Sequence, residues 1–229
     1  MNLEHTIKKF KKQIKAFSKH ESSGVEEIHD LRTACREFIS LLDSKETLYK
    51  QIKKIIKISN SIRDIDVFFE LYLPSLPKKY FKKLDMQSIT KSTKHKRKKE
   101  CDKLHKYLKS LDIGGDILLQ AKADKSVFSA KKEPNFDQIE LHQYRIYIKK
   151  MLYREKNSLP INIKRVNILS KIKDCLGSIN DNHNGYERCK ACDIKAPLLK
   201  RIADFTQAKN LKLFQKFQVL NRKYIGGVA

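Results

Sequence analysis

His29, Arg32 and Arg36 stand three and four residues apart, and His142, Arg145 and Lys149 repeat that spacing. Both runs read H-x-x-R-x-x-x-(R/K). On a helix this stacks the three side chains on one face, about a turn apart. Basic groups held that close repel one another unless something anionic lies between them. An extended phosphate chain could fill that place, since arginine offers it a planar fork and lysine a point charge. A single cluster of this kind reads more simply as ion pairs to neighbouring helices. Two matching clusters in one strongly basic chain favour the anion. The histidines also leave open a phosphohydrolase or phosphotransferase in which His29 or His142 serves as nucleophile or proton carrier.

A second pattern follows each cluster: Arg63, Asp64, Asp66 and Val67 after the first, Leu176, Gly177, Asn180 and Asp181 after the second. Carboxylates beside basic groups orient them and offset their mutual repulsion. Asp64 and Asp181 are assigned this supporting role, with Arg63, Asp66 and Asn180 as further members. Shared ligation of a divalent cation by Asp64 and Asp66 is disfavoured, because residues two apart on a helix turn away from each other. Cys189 and Cys192 form one C-x-x-C, with Cys175 and His183 upstream, but the paired ligand spacing of a zinc site is missing. The expectation is no metal and no cofactor.

These residues need helices to carry them. Leu3, Ile7, Phe10, Ile14 and Phe17 recur at helical spacing with lysines between them, which predicts an amphipathic first helix. Ser22, Ser23 and Gly24 break it, and Ser23 with Glu26 reads as a capping box for the second. That helix has Ile28, Leu31, Cys35, Phe38 and Leu42 as its apolar stripe. Each basic position lies one residue past a stripe position: 29, 32 and 36 after 28, 31 and 35, then 142, 145 and 149 after 141, 144 and 148. One residue is a rotation of about 100°, so both basic stripes are expected along the border of a buried seam. A third helix is predicted from about Glu46 to Leu73, ended by Pro74 and Pro77, and a fourth from Lys78 to Leu111. Gly114, Gly115 and the segment to Pro134 read as a connection. Further helices are predicted over Ile139 to Lys156, over Ile161 to Cys189, and from Pro197 to about Tyr224. Strand-type alternation is nowhere sustained, and the expected fold class is all-α.

Composition agrees. Fifty Lys and Arg against 26 Asp and Glu give a formal charge of +24 and a pI near 9.8. Such self-repulsion opposes compaction and usually answers to an anionic partner: nucleic acid, an anionic membrane face or a polyphosphate. Apolar residues at 40% exclude a disordered basic tail. Five scattered cysteines argue against a disulfide framework. With no spanning apolar run and no apolar stretch of signal-peptide type near the N-terminus, a cytoplasmic location is expected.

With these residues in hand, the chain resembles the CHAD family, α-helical domains named for their histidines. The family's H-x-x-R-x-x-x-R-R-x-R motif aligns on His29, Arg32 and Arg36, and its R-D-x-D-V motif on Arg63, Asp64, Asp66 and Val67. Its repeated motif H-x-x-R-I-x-x-K-(R/K)-x-R-Y aligns on His142, Arg145, Ile146, Lys149, Lys150 and Tyr153. The late L-G-x-(L/I)-N-D aligns on Leu176, Gly177, Ile179, Asn180 and Asp181. The resemblance implies a single domain over residues 1–229, built as two four-helix-bundle-like halves (1–115 and 135–229) related by a pseudo-twofold. It also implies a basic central surface that binds inorganic polyphosphate without catalysis, in the cytoplasm and in association with polyphosphate granules, through His29, Arg32, Arg36, His142, Arg145, Lys149, Lys150 and Tyr153. The chain departs from the pattern where further arginines often stand, at Glu37, Ile39 and Leu152. The Lys94–Lys99 run and Lys78, Lys79, Lys82 and Lys83 are given only a steering role.

Nucleic-acid binding is the alternative within the same charge class, with Tyr and Phe rings available for stacking. Most of those rings fall on apolar stripes, which assigns them to the core. A membrane-surface role is the weakest option, because the apolar faces of the basic helices are needed inside the protein.

Overall fold

A computed structural model of the chain describes residues 3–19, 24–39, 42, 47–111, 132–157 and 160–226, and every regular element among them is helical. They are α1 (Leu3–Lys19), α2 (Val25–Ile39), α3 (Thr47–Val67), a π turn (Phe68–Tyr72), α4 (Leu73–Ser75), α5 (Lys78–Phe81), α6 (Met86–Lys109), α7 (Gln138–Asn157), α8 (Ile163–Lys190) and α9 (Ala196–Gly226). No helix of the described residues is long and apolar enough to cross a membrane.

The chain divides into two compact units, one drawn from Met1–Phe69 and Asp85–Ser126, the other from Glu70–Leu84 and Val127–Ala229. In the first, α1 packs on α2, α2 on α3, α3 on α6 and α6 back on α1. The predicted stripes meet inside that ring, where Phe10, Ile28, Leu31, Phe38, Ile52, Ile55, Ile62 and Leu104 are fully buried. Each such side chain contributes roughly 1.5–3 kcal/mol by leaving water. Phe10 and Phe38 add a ring contact at 4.5 Å between centroids.

In the second unit α8 packs on both α7 and α9. One face of α9 carries Ile202, Thr206, Asn210, Phe214, Phe217, Asn221 and Tyr224, all buried. Its three polar members each meet a different partner. Thr206 shares a 2.8 Å hydrogen bond with the Tyr72 hydroxyl, Asn210 accepts from Asn182 Nδ2 at 2.8 Å, and Asn221 accepts from the Tyr144 hydroxyl at 2.8 Å. A buried polar group without a partner is costly, so these pairs fix the register of α9 on its neighbours. Gly185 of α8 is where Tyr72 comes closest, since a Cβ there would fall inside the tyrosine ring.

The predicted elements differ from these in three places. The third helix does continue past Val67, but through the π turn, which shifts the helical register by a residue. The single helix expected over Lys78 to Leu111 is broken: α5 stops at Phe81, and α6 starts at Met86 because the Asp85 carboxylate accepts from Ser88 N at 3.0 Å. At the start of α2 Glu27 reaches back, accepting from Gly24 N at 2.8 Å; Ser23, and with it the expected Ser23–Glu26 capping box, lies outside the described residues. Leu42 packs into the core from beyond the last residue of α2. Most of the connection read from Gly114 to Pro134 also lies outside the described residues.

Candidate functional site

The first cluster lies on α2 against α3. His29 is exposed, Arg36 half-buried and Arg32 only 7% exposed, so the stripe turns inward at its middle. The Arg32 guanidinium reaches α3, where Nη1 donates to Asn60 Oδ1 at 2.6 Å and to Ser59 Oγ at 3.4 Å. Ser59 sends its own hydroxyl proton to Ile56 O at 3.1 Å, which leaves its oxygen facing the arginine as an acceptor. Both acceptors are neutral. Burial, then the neighbouring Arg36 charge, brings the Arg32 guanidinium down from its ordinary value to about 10; Asp64 pulls the other way and Arg63 adds to the repulsion. Arg63 and Asp64, half-buried on α3, therefore belong to the electrostatic surroundings of Arg32. The adjacent Cys35 thiol is pushed up to about 12 by burial, against the pull of Arg32 and Arg36.

Asp66 has a different place. It is 4% exposed and accepts from Arg97 Nε at 2.7 Å and Nη2 at 3.4 Å, a two-point clamp between α3 and α6. Arg97 Nη1 also lies 3.8 Å from Cys101 Sγ. This residue belongs to the lysine run that was given a steering role, yet the fold uses it as a cross-link. The signal was in the spacing: positions 93, 97, 101, 104 and 108 form the stripe by which α6 faces its unit, and Thr93, Cys101, Leu104 and Leu108 are buried.

The second cluster lies on α7 against α8. His142 is exposed, Arg145 and Lys149 half-buried, Lys150 exposed and Tyr153 half-buried. His142 Nδ1 stands 3.4 Å from Asn180 Oδ1. A Cβ at Gly177 would lie 3.6 Å from Arg145 Nη2 and 3.7 Å from Nε, so the guanidinium rests over that glycine. Asn180 and Asp181 are half-buried on the same helix. Gly177 stands four residues before Asp181, as Asn60 stands four before Asp64. In each unit the middle arginine of the cluster thus meets the residue four before the aspartate of the motif that follows it. The residue met differs, an asparagine amide at Arg32 and a glycine at Arg145. Ser59 and Asn60 were absent from the sequence-based set; counting back one turn from Asp64 finds Asn60, and Ser59 is its neighbour.

The departures from the family pattern have structural occupations. Glu37 takes an ion pair from Lys9 of α1 at 2.8 Å. Ile39 packs against the first core cluster, and Leu152 is buried in the second. Cys189 is buried and its thiol is pushed up to about 12 by that burial. Among the described residues no group of three His, Cys, Asp or Glu is placed to hold a metal ion.

These features define a class, an all-helical protein that gathers Arg32, Arg36 and Arg63 within electrostatic reach of one another on α2 and α3. The chain belongs to the CHAD domain family, whose model matches residues 8–138. That stretch contains the His29 and Arg63 motifs and ends before His142. No curated protein and no solved structure matches the chain.

Proposed function

We propose that this chain binds inorganic polyphosphate, without catalysing a reaction on it, along the basic stripes of α2 and α7. The observation that carries the reading is the company of Arg32: a buried guanidinium with neutral acceptors, two neighbouring arginines and one opposing carboxylate, Asp64. Ion-paired scaffold arginines look like Arg97, which takes a carboxylate fork. A cationic group kept among like charges is what a many-charged anion stabilises. The helix pairs α2–α3 and α7–α8 are, in this reading, copies of one binding unit; the shared Arg32–Asn60 and Arg145–Gly177 positions support it. Polyphosphate in the cytoplasm, including its granules, is the expected setting.

The test uses cations outside the two buried apolar clusters. A variant with Arg36, Lys149 and Lys150 changed to Ala should keep its helical circular dichroism. Each charge-assisted hydrogen bond lost is worth about 1.5–3 kcal/mol, so its affinity for long-chain polyphosphate should fall by at least about a hundredfold. Wild-type affinity in that variant sinks the site assignment. Orthophosphate release from the polymer with Mg²⁺ present sinks the non-catalytic reading. Displacement by duplex DNA at equal phosphate concentration and fixed salt moves the function to nucleic acid.

A further inference from the structure

Asn60 is exposed, although its Oδ1 holds a guanidinium that is itself almost wholly buried. An arginine can only donate, so the amide orientation is settled: oxygen toward Arg32, NH₂ away from it. The side chain is therefore the outward end of the Arg32 network. A carboxylate in its place would hold Arg32 just as well and at closer electrostatic range. The same α3 helix provides that arrangement six residues later, where Asp66 holds Arg97. At position 60 the chain has instead the isosteric residue without the charge. In the second unit, by contrast, the residue of α8 that the Arg145 guanidinium approaches is Gly177.

Resting on the polyphosphate reading above, we propose that Asn60 is a positioning and ligand-contacting residue of the α2 site. Its oxygen fixes Arg32 without cancelling the positive charge, and its NH₂ donates to a phosphate oxygen of the incoming polymer. Ser59 completes the neutral cradle from below, its hydroxyl proton committed to Ile56 O. Two requirements meet in this one amide. Holding Arg32 asks for an acceptor, and the polyanion asks for a donor and for undiminished positive charge; an amide meets both, whereas a carboxylate meets only the first.

Two variants of the full-length protein separate this role from a structural one. Asn60→Asp keeps shape and acceptor but removes the donor and adds a negative charge. Asn60→Ala removes donor and acceptor and leaves the charge of Arg32 untouched. A purely structural Asn60 ranks Asp at or near wild type and Ala below it in both folding and binding. The proposal predicts opposite orders in two measurements. At low salt the melting temperature should run Asp above wild type above Ala, with the gap between Asp and wild type closing as salt is added. Affinity for fluorescently end-labelled long-chain polyphosphate should run wild type above Ala above Asp, with losses of about threefold for Ala and tenfold or more for Asp. The slope of log affinity against log salt should flatten by about one for Asp and stay unchanged for Ala, by analogy with phosphate contacts on nucleic acid. Asp binding as tightly as Ala or better, or an unchanged slope for Asp, overturns the inference while wild-type binding leaves the proposed function standing. Wild-type protein that fails to bind the polymer removes the proposed function, and this inference with it.

Discussion

The Asp66–Arg97 clamp allows a prediction whose two halves are unequal. The carboxylate side chain is 2% exposed and the guanidinium side chain 24% exposed. Asp66→Ala leaves Arg97 at the rim, where its long side chain can swing its charge into water. Arg97→Ala leaves Asp66 where it is, buried and stripped of the donors that occupied both oxygens. Breaking a buried pair from one side costs about 3–5 kcal/mol when the survivor stays buried. That range applies to Arg97→Ala, reduced to about 3 kcal/mol because the clamp is reachable by water along the arginine. Asp66→Ala should cost about 1–2 kcal/mol, chiefly the lost hydrogen bonds. Urea denaturation followed by circular dichroism measures both, with the double variant closing the cycle. Asp66→Ala should also keep wild-type polyphosphate affinity, since the clamp joins α3 to α6 and not to the α2 stripe. If Asp66→Ala proves the more damaging, or Arg97→Ala costs under about 1 kcal/mol, the clamp is not the buried cross-link described.

Two other outcomes follow from packing and protonation. In Gly185→Ala the new methyl collides with the Tyr72 ring, so overpacking of about 1–3 kcal/mol and a strained Tyr72–Thr206 bond outweigh the roughly 1 kcal/mol gain in helix propensity. Urea unfolding should show a net loss of about 1 kcal/mol, and in a Tyr72→Ala background the same change should stabilise instead. Cys35 and Cys189, lifted by burial from an ordinary 9.0 to about 12, keep their protons in the fold at pH values where the unfolded chain releases them. The stability they contribute is complete below pH 9 and lost as pH rises toward 12. A Cys35→Ala variant should accordingly show a shallower fall in melting temperature than wild type between about pH 9 and 11.

Helix type and core positions were legible because they rest on periodicity alone. Ile28, Leu31, Cys35 and Phe38 are buried as their spacing requires, and so are Leu141, Tyr144 and Ile148. The family motif around His29 was legible for the same reason, as spacing along one helix. What spacing along one helix cannot give is the identity of the facing residue. The border position assigned to Arg32 was about 100° from the seam, yet the guanidinium lies inside because Ser59 and Asn60 of α3 accept it there. Asp66 was read as a supporting member of the basic site because it belongs to the Arg63–Val67 pattern; two residues from Asp64 on a helix, it faces α6 and Arg97 instead. The break after Phe81 was not read from the sequence, because the helix was drawn from Lys78 to Leu111 without regard to Asp85, whose carboxylate caps α6 by accepting from Ser88 N.

Carboxylates therefore sort the cations of this chain more sharply than their positions in sequence do. Lys9 meets Glu37, Lys103 meets Glu100, Arg165 meets Glu155 and Arg97 meets Asp66. Arg32 is more deeply buried than the side chains of these four cations and has more need of a counter-charge, yet its hydrogen bonds go to an amide and a hydroxyl. Folding stability alone does not select that choice, since an uncancelled buried cation is the costlier arrangement. It becomes intelligible when part of the stabilisation arrives from outside the chain. A ligand that binds only the folded state adds RT ln(1 + [L]/Kd) to its stability. The protein should therefore gain melting temperature with added polyphosphate in proportion to the logarithm of its concentration, and the gain should be smaller wherever the charge of Arg32 has been cancelled. Equal gains in wild type and Asn60→Asp would mean that the buried cation answers to something other than the polymer.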